Sequence, residues 1–145
     1  MFYSFVVPIS GIGDSVFLAT LKEDIAIRWN EIIPWDKIDT DPGHNFNMNK
    51  HSYIVPLDGV YMFSVQKEGN QNFGRFFILV DRKAVSYIDG YTEGNSAPSG
   101  SSTVVLVLKS GQEVAVQNFG STIVYGNRPY MRTFFAGHMI TRLDL

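Results

Sequence analysis

Residues that perform acid–base or nucleophilic chemistry are few and scattered in this chain. The three histidines, His44, His51 and His138, do not stand next to a nucleophile in any recognisable motif. The chain contains no cysteine, which excludes thiolate nucleophiles, thiolate metal sites and disulfide bonds. The residue types and their spacing therefore predict that the protein is not an enzyme.

A turn-rich stretch over residues 38–49 contains the first candidate ligand site. Asp39, Asp41 and His44 supply polar donors close together, in an arrangement that loosely resembles a calcium loop. The stretch lacks the regularly spaced carboxylates of an EF-hand. Aspartate side chains also cap turns by accepting bonds from nearby backbone N–H groups. The three residues are therefore candidates for ligand binding, with turn capping as the alternative.

A second candidate lies in the sequence Asn127-Arg128-Pro129-Tyr130. Arg128 offers a charge and Tyr130 offers a ring, which together suit a saccharide or an anionic ligand. The Pro next to them is typical of a turn, in which case these residues only close the loop. Both interpretations of this loop remain open.

The elements that position these residues are predicted to be strands. Short apolar runs rich in Val, Phe and Tyr alternate with Gly-, Pro- and Asn-containing turns, and no helical period is sustained. This pattern predicts a single all-β domain, a sandwich or jelly roll of about ten strands. The predicted strands are residues 16–21, 25–29, 51–57, 60–66, 75–80, 84–88, 103–108, 113–117, 121–125 and 131–140.

Composition and charge exclude two further classes of protein. The net charge is −2, with 12 basic and 14 acidic side chains and no basic block, so a nucleic-acid-binding face is not expected. No apolar run approaches the roughly 18 residues of a membrane-spanning helix.

The apolar N-terminus lacks the basic start of a signal peptide. If the protein is secreted, its leader is not part of this sequence.

Several predicted strands carry apolar side chains on both faces. Residues 113–117 alternate as an ordinary half-buried strand does, whereas residues 103–108 place Val105 and Val107 opposite three other apolar side chains. Residues 60–65 and 133–140 behave similarly. A fully buried Val, Leu or Phe contributes about 1.5–3 kcal/mol, so an uncovered second face favours association, by default with cyclic symmetry. Cover by the loops at residues 38–50 and 90–102 is the alternative.

These strands, in this order, resemble the globular head domain of the complement C1q family, a branch of the tumour-necrosis-factor-like jelly rolls. The resemblance rests on FLATL at 17–21, Trp29, YIVPLDGVYMF at 53–63, VVLVLKSGQEV at 104–114 and TFFAGHMI at 133–140. It covers about residues 14–141. Residues 14–145 are therefore expected to form the domain, preceded by an N-terminal extension over residues 1–13.

The resemblance implies a ten-stranded jelly roll assembled as a homotrimer. Residues 16–21, 60–66, 103–108 and 131–140 would belong to an inner sheet whose second face is covered by sister subunits. Residues 75–80 and 113–117 would belong to the outer sheet. Because residues 75–80 are apolar on both sides, we expect a loop to cover them; an exposed patch that binds a ligand is the alternative. The inner-sheet residues expected at the interface are Phe17, Tyr61, Phe63, Val105, Val107, Phe134, Phe135 and Met139.

Some members of the family bind calcium near the trimer axis through carboxylates that precede the strand at 103–108. Asp89 and Glu93 stand in that region, and Tyr91 between them is a further candidate for ligand contact. The family's second carboxylate falls on Ala97 or Pro98 here, which weakens the case for Ca²⁺.

Family members that have the head domain without a stalk suggest a function for this chain as well. The resemblance implies a secreted, lectin-like innate immune protein that binds microbial carbohydrate or lipopolysaccharide. The alternatives are a cytokine-like ligand for a protein receptor and a structural trimerisation or fibre-tip domain.

Overall fold

The computed structural model describes residues 13–70, 74–89 and 99–145. Across these ranges the chain forms strands and no helix, so none of the described segments is a helix able to cross a membrane. The expected N-terminal extension lies almost wholly outside the described residues. The strands are β1 (Val16–Thr20), β2 (Ile25–Ala26), β3 (Lys37–Thr40), β4 (Phe46–Asn47), β5 (Ser52–Ile54), β6 (Gly59–Glu68), β7 (Arg75–Val80), β8 (Lys83–Asp89), β9 (Ser99–Leu108), β10 (Glu113–Phe119), β11 (Ile123–Val124) and β12 (Phe134–Arg142).

Two antiparallel five-stranded sheets face each other. The inner sheet has the order β3-β1-β12-β6-β9, and the outer sheet has the order β4-β5-β10-β7-β8. A two-stranded ribbon, β11-β2, lies beside them. The predicted all-β sandwich is confirmed. The four strands expected in the inner sheet all lie there, and β7 and β10 lie in the outer sheet as expected.

The core forms where side chains from both sheets meet. Along β6 every second residue is buried, so Tyr61, Phe63 and Val65 share the face that points between the sheets. Phe17 of the inner sheet stacks on Tyr53 of the outer sheet, with their ring centroids 4.2 Å apart. This contact joins the two sheets near the middle of the sandwich.

The stretch over residues 38–49 contains two strands that the sequence pattern does not predict. β3 pairs with β1 at the edge of the inner sheet, and β4 pairs with β5 at the edge of the outer sheet. β3 has the sequence KIDT and is mostly exposed, so it lacks the apolar alternation that marks a strand. Pairing with a buried neighbour, rather than local propensity, makes these segments extended.

Three predicted strands keep only two or three of their residues in the structure. Only Ile25–Ala26 of residues 25–29 is a strand, and Trp29 lies in the turn that follows. Only Ser52–Ile54 of residues 51–57 and Ile123–Val124 of residues 121–125 are strands.

The position of Gly59 after Pro56 and Leu57 predicts that it belongs to the turn between the strands. In the structure Gly59 is instead the first residue of β6. A Cβ at Gly59 would lie 2.5 Å from the backbone oxygen of Thr141. The glycine is therefore required by the close approach of β12. The turn itself is held by Tyr61, whose hydroxyl donates to the carbonyl of Leu57 at 2.6 Å.

Candidate functional site

The outward face of the inner sheet carries a large apolar area, bordered by the polar pair Ser64 and Thr103, and this area is uncovered among the described residues. Cross-strand pairing places Met62 between His138 and Val105, and Val60 opposite Val107. Val105 is 55% exposed and Val107 is 61% exposed. We call this face the inner-sheet surface. Its members are Val16, Leu18, Val60, Met62, Val105, Val107, Phe134, Ala136, His138 and Ile140.

Five of the residues expected at a subunit interface point the other way. They lie in the inner sheet as expected, but each is at most 2% exposed and packs inside the sandwich, so none of them can contact a sister subunit. Both faces of these strands are apolar, so the two-residue period identifies which residues share a face without identifying the face that points inward. The five are Phe17, Tyr61, Phe63, Phe135 and Met139. Val105, Val107 and Phe134 do lie on the inner-sheet surface.

The carboxylates of the acidic loop at residues 38–49 are occupied by protein groups. Asp41 accepts bonds from the backbone N–H groups of Asn45 at 3.0 Å and Phe46 at 2.9 Å. Asp39 accepts bonds from Lys37 and Thr20. Burial alone would raise the pKa of Asp39, but these hydrogen bonds outweigh it and hold the pKa below its usual value. The structure favours the turn-capping alternative for Asp41, whereas Asp39 lies in β3 and bonds to side chains of its neighbours.

His44 lies beside Asp41 at a cavity of about 330 Å³ that also contacts Ile38, Phe46 and Met48. The structure thus brings Asp41 and His44 together. Asp39 is not among the residues that line this cavity.

The loop at residues 127–130 is linked to β3 through Thr20, at the end of β1. Asn127 donates to the Thr20 hydroxyl at 3.2 Å, and that hydroxyl donates to Asp39 at 2.9 Å. Arg128 is held in an ion pair with Asp24 at 3.2 Å. Tyr130 is 79% exposed at the tip of the loop. The Arg128 side chain nevertheless remains 70% exposed, so both predicted ligand contacts stay accessible to solvent.

The candidate calcium residues are only partly described. Tyr91 and Glu93 lie outside the described residues. Asp89 ends β8, and its carboxylate accepts a bond from Arg75 at 3.3 Å. Within the described ranges no three His, Asp or Glu side chains gather as metal ligands. One carboxylate already neutralised by a guanidinium does not suit Ca²⁺, so the described residues do not compose a calcium site.

A row of rings lies on the outward face of the outer sheet. The centroids of Trp29 and Phe119 are 5.2 Å apart, and those of Phe119 and Phe77 are 6.0 Å apart. Phe77 is paired across the strands with Tyr87, and the guanidinium of Arg75 lies 4.9 Å from the Tyr87 ring centroid. We call Trp29, Phe77, Tyr87 and Phe119, with Arg75, the aromatic strip.

The expected cover of β7 is partial, since Arg75 and Phe77 are half-buried and Leu79 is buried. Leu79 is 5% exposed, but Tyr87, on the strand next to Phe77, is 56% exposed. In the sequence, the apolar residues on both faces of residues 75–80 indicate that the outward face of β7 is apolar. Trp29 and Phe119 carry no such signal, because they join the strip only through tertiary pairing.

A small cavity adjoins the strip along the same face. Its volume is about 230 Å³, and Ile32, Leu79 and Ala115 lie at its apolar side. Lys50 and Glu113 line its polar side and form an ion pair at 3.0 Å. The cavity is smaller than the roughly 300–1,000 Å³ of pockets for drug-sized ligands, so it suits a single small ring or side group.

One buried titratable side chain stands apart from these surfaces. Lys67 is fully buried in β6, and its Nζ has no hydrogen-bond partner among the described residues. The ammonium lies 5.6 Å from the centroid of the Phe76 ring. Burial lowers the pKa of Lys67 to about 8, and the charge of Asp89 offsets only part of this effect.

Comparisons with known proteins match this architecture. The C1q domain family model matches residues 16–140. The globular domain of a zebrafish complement 1qA protein superposes with a TM-score of 0.72 at 15% identity, covering 89% of this chain and 99% of that one. The Eiger TNF of S. frugiperda superposes with a TM-score of 0.71 at 14% identity, covering 90% of this chain and 94% of that one. No curated protein matches the chain.

At these identities the two structures show a shared jelly-roll fold and nothing finer. The family model spans most of the sequence, in the same order of strands that carries the resemblance. The chain therefore belongs to the C1q domain family.

Proposed function

We propose that this protein is a secreted, non-enzymatic homotrimer that recognises carbohydrate or lipopolysaccharide on microbial surfaces. The observation that carries the proposal is the inner-sheet surface. Ile140 is 44% exposed there, beside the more exposed Val105 and Val107. Full burial of such a side chain contributes about 1.5–3 kcal/mol, so each of the three would contribute about 1 kcal/mol on association. Closure of three copies around this face supplies the missing cover.

The recognition unit is proposed to be residues 14–145. The C-terminal strand ends at Arg142, and the backbone N–H of Leu143 donates to the carbonyl of Asp58 at 3.0 Å. This bond ties the end of the chain to the turn before β6. It supports a domain that extends to the C-terminus of the sequence.

Trimerisation matters for recognition because it multiplies weak sites. Three identical sites on a rigid body gain avidity of up to about 10²–10⁴ toward a repeated surface ligand when the spacing allows simultaneous contact. Repeated sugars on a microbial surface fit this arrangement.

The assembly is tested by light scattering at micromolar concentration on the protein and two variants. We expect a trimer for the unmodified protein and a monomer for Val107→Asp, because a charge would be buried between subunits. The matched control is Val85→Asp, since Val85 is 46% exposed on the outer sheet. It should remain a trimer. A stable monomer of the unmodified protein would refute the proposal.

The ligand is tested on a glycan array, with and without a chelator. Sugar-selective binding supports recognition of carbohydrate, and its loss with chelator would reveal dependence on Ca²⁺. A blank array together with a tight protein partner supports the cytokine-like alternative. A blank array without a partner supports a structural trimerisation domain. Hydrolysis of any array sugar would contradict the absence of enzymatic activity.

A further inference from the structure

We propose that the aromatic strip on the outer sheet is the carbohydrate site, and that it binds the apolar faces of neutral pyranose rings in a short oligosaccharide. This inference rests on the proposed recognition of carbohydrate. It adds the position of the site and the charge class of the sugar.

The strip has the length and exposure that such a ligand requires. It runs from the turn at Trp29 across β10 and β7 to β8, a width of about 15 Å at about 4.8 Å per strand. Trp29 is 57% exposed, Tyr87 is 56% exposed and Phe119 is 37% exposed. Parts of the rings at both ends and in the middle of the strip are thus open to solvent, although Arg75 covers one face of Tyr87.

The rings are held in place by backbone and side-chain bonds of the outer sheet. Beside Trp29, the N–H of Asn30 donates to the carbonyl of Asn118 at 2.7 Å, and the Gln117 amide donates to the carbonyl of Asn30 at 3.0 Å. At the other end Arg75 lies on the Tyr87 ring and pairs with Asp89. A preorganised surface loses little conformational entropy when it binds.

The polar groups around the strip favour a neutral sugar. A pyranose has an apolar face of C–H groups and a rim of hydroxyls, which match aromatic rings flanked by groups that donate and accept hydrogen bonds. Arg75 is balanced by Asp89, and Lys50 at the adjoining cavity is balanced by Glu113. Arg82 also lines that cavity and forms no ion pair among the described residues, so one cation is left unbalanced there, whereas a phosphorylated or highly acidic glycan would require a cluster of them.

The size of the strip argues against a protein partner. The exposed parts of Trp29, Tyr87 and Phe119 amount to about 300 Å², taking about 150–250 Å² for each whole side chain. A standard protein–protein interface takes about 800 Å² from each partner. The strip lies on the opposite face of the sandwich from the inner-sheet surface, so a trimer closed by that surface leaves three strips open to solvent.

The first test is an array of immobilised oligosaccharides, neutral and acidic, probed with the full chain and single variants. Trp29→Ala and Tyr87→Ala should each weaken binding to the neutral sugars by at least about tenfold, as truncation of a central aromatic contact does. Tyr87→Phe keeps the ring and should bind like the unmodified protein. The matched control is Tyr130→Ala, which removes an exposed ring at the other candidate loop and should leave binding unchanged.

Tryptophan fluorescence gives a second, direct measurement. The chain has two tryptophans, and Trp35 is fully buried, so a sugar that stacks on the strip should change the emission of Trp29 alone. Titration with a neutral oligosaccharide selected on the array should shift the emission of the unmodified protein and leave that of Trp29→Phe unshifted. Unchanged Trp35 emission and oligomeric state show that each variant is folded.

The outcomes separate this inference from the proposed function. If the unmodified protein binds sugars and the strip variants bind equally well, the site lies elsewhere and only this inference fails. If the protein prefers acidic sugars and Tyr87→Ala keeps that preference, the site again lies elsewhere and only this inference fails. If the unmodified protein binds no sugar on the array and its emission does not change with any neutral oligosaccharide, both fail together.

Discussion

Replacement of the buried lysine by an uncharged side chain of similar length should stabilise the protein. The pKa of Lys67 falls from 10.5 to about 8 on folding because the ammonium loses water without gaining a partner among the described residues. At about 1.4 kcal/mol per pKa unit, this difference corresponds to about 3 kcal/mol. Lys67→Met should therefore raise the free energy of unfolding at pH 7 by up to about 3 kcal/mol.

The pH dependence follows from the direction of the pKa change. Between about pH 8 and 10.5 the unfolded chain binds more protons at Lys67 than the folded protein does, so the stability of the unmodified protein rises with pH in this window. The Met variant lacks this dependence. Its advantage should be largest at pH 8 and below and should shrink as the pH approaches 10.5.

Urea unfolding followed by the fluorescence of buried Trp35 measures both quantities. Equal protein concentrations are needed, because assembly makes stability depend on concentration. Burial raises the pKa of Tyr53 and Tyr61 in both proteins, so their titration cancels in the difference. Lys83→Met is the control, since Lys83 is exposed on β8. It should change the free energy of unfolding by less than about 0.5 kcal/mol.

Two results would refute this reasoning. If Lys67→Met is less stable than the unmodified protein at pH 7, the ammonium makes favourable contacts that outweigh its loss of water. If the variant is more stable by an amount that does not change with pH, the gain comes from packing and not from the charge.

Urea unfolding midpoints test three further expectations. Gly59→Ala should lower the free energy of unfolding by at least about 1 kcal/mol, because the added Cβ would lie 2.5 Å from the Thr141 oxygen. The control is Gly13→Ala, whose Cβ would have no atom within 4 Å. Equal losses of stability in the two variants would contradict this prediction. Phe17→Ala should lower the free energy of unfolding by about 3–5 kcal/mol, because Phe17 packs on Tyr53 between the two sheets. A loss as small as that of Tyr130→Ala, which removes an exposed ring, would show that this contact contributes little to stability. Asp41→Ala should cost about 1–2 kcal/mol and Asp41→Asn less, since one amide oxygen remains; no loss for either would argue against turn capping.

The strand pattern and the order of motifs were sufficient to assign six strands to their sheets, but not to predict the edge strands β3 and β4. Residues 103–108 and 60–65 are apolar on both faces, and the strands that contain them, β9 and β6, lie side by side in the inner sheet. The resemblance to the C1q family, and not the strand pattern, implies the outer-sheet position of residues 113–117 and 75–80 that the structure has. A period of two is a local property of the chain, so it is readable without knowledge of the fold.

Tertiary structure decided which of the two apolar faces points inward. Phe63 and Met62 are neighbours of similar character, yet Phe63 is fully buried and Met62 lies on the inner-sheet surface. The choice depends on the side from which the outer sheet packs, which no local pattern contains. For this reason five of the eight residues expected at the interface proved to be core residues.

The sequence alone determined that the protein is an all-β C1q-like sandwich with more apolar surface than one sandwich can cover. Only the tertiary structure could assemble the aromatic strip, because Trp29 and Phe119 lie far apart in the chain and meet through the pairing of residues 30–33 with β10. It likewise decided that Asp39, Asp41 and Arg128 bind their own neighbours. The physical reason is common to both: which groups remain free for a ligand depends on contacts between distant segments, whereas the strand pattern depends on adjacent residues.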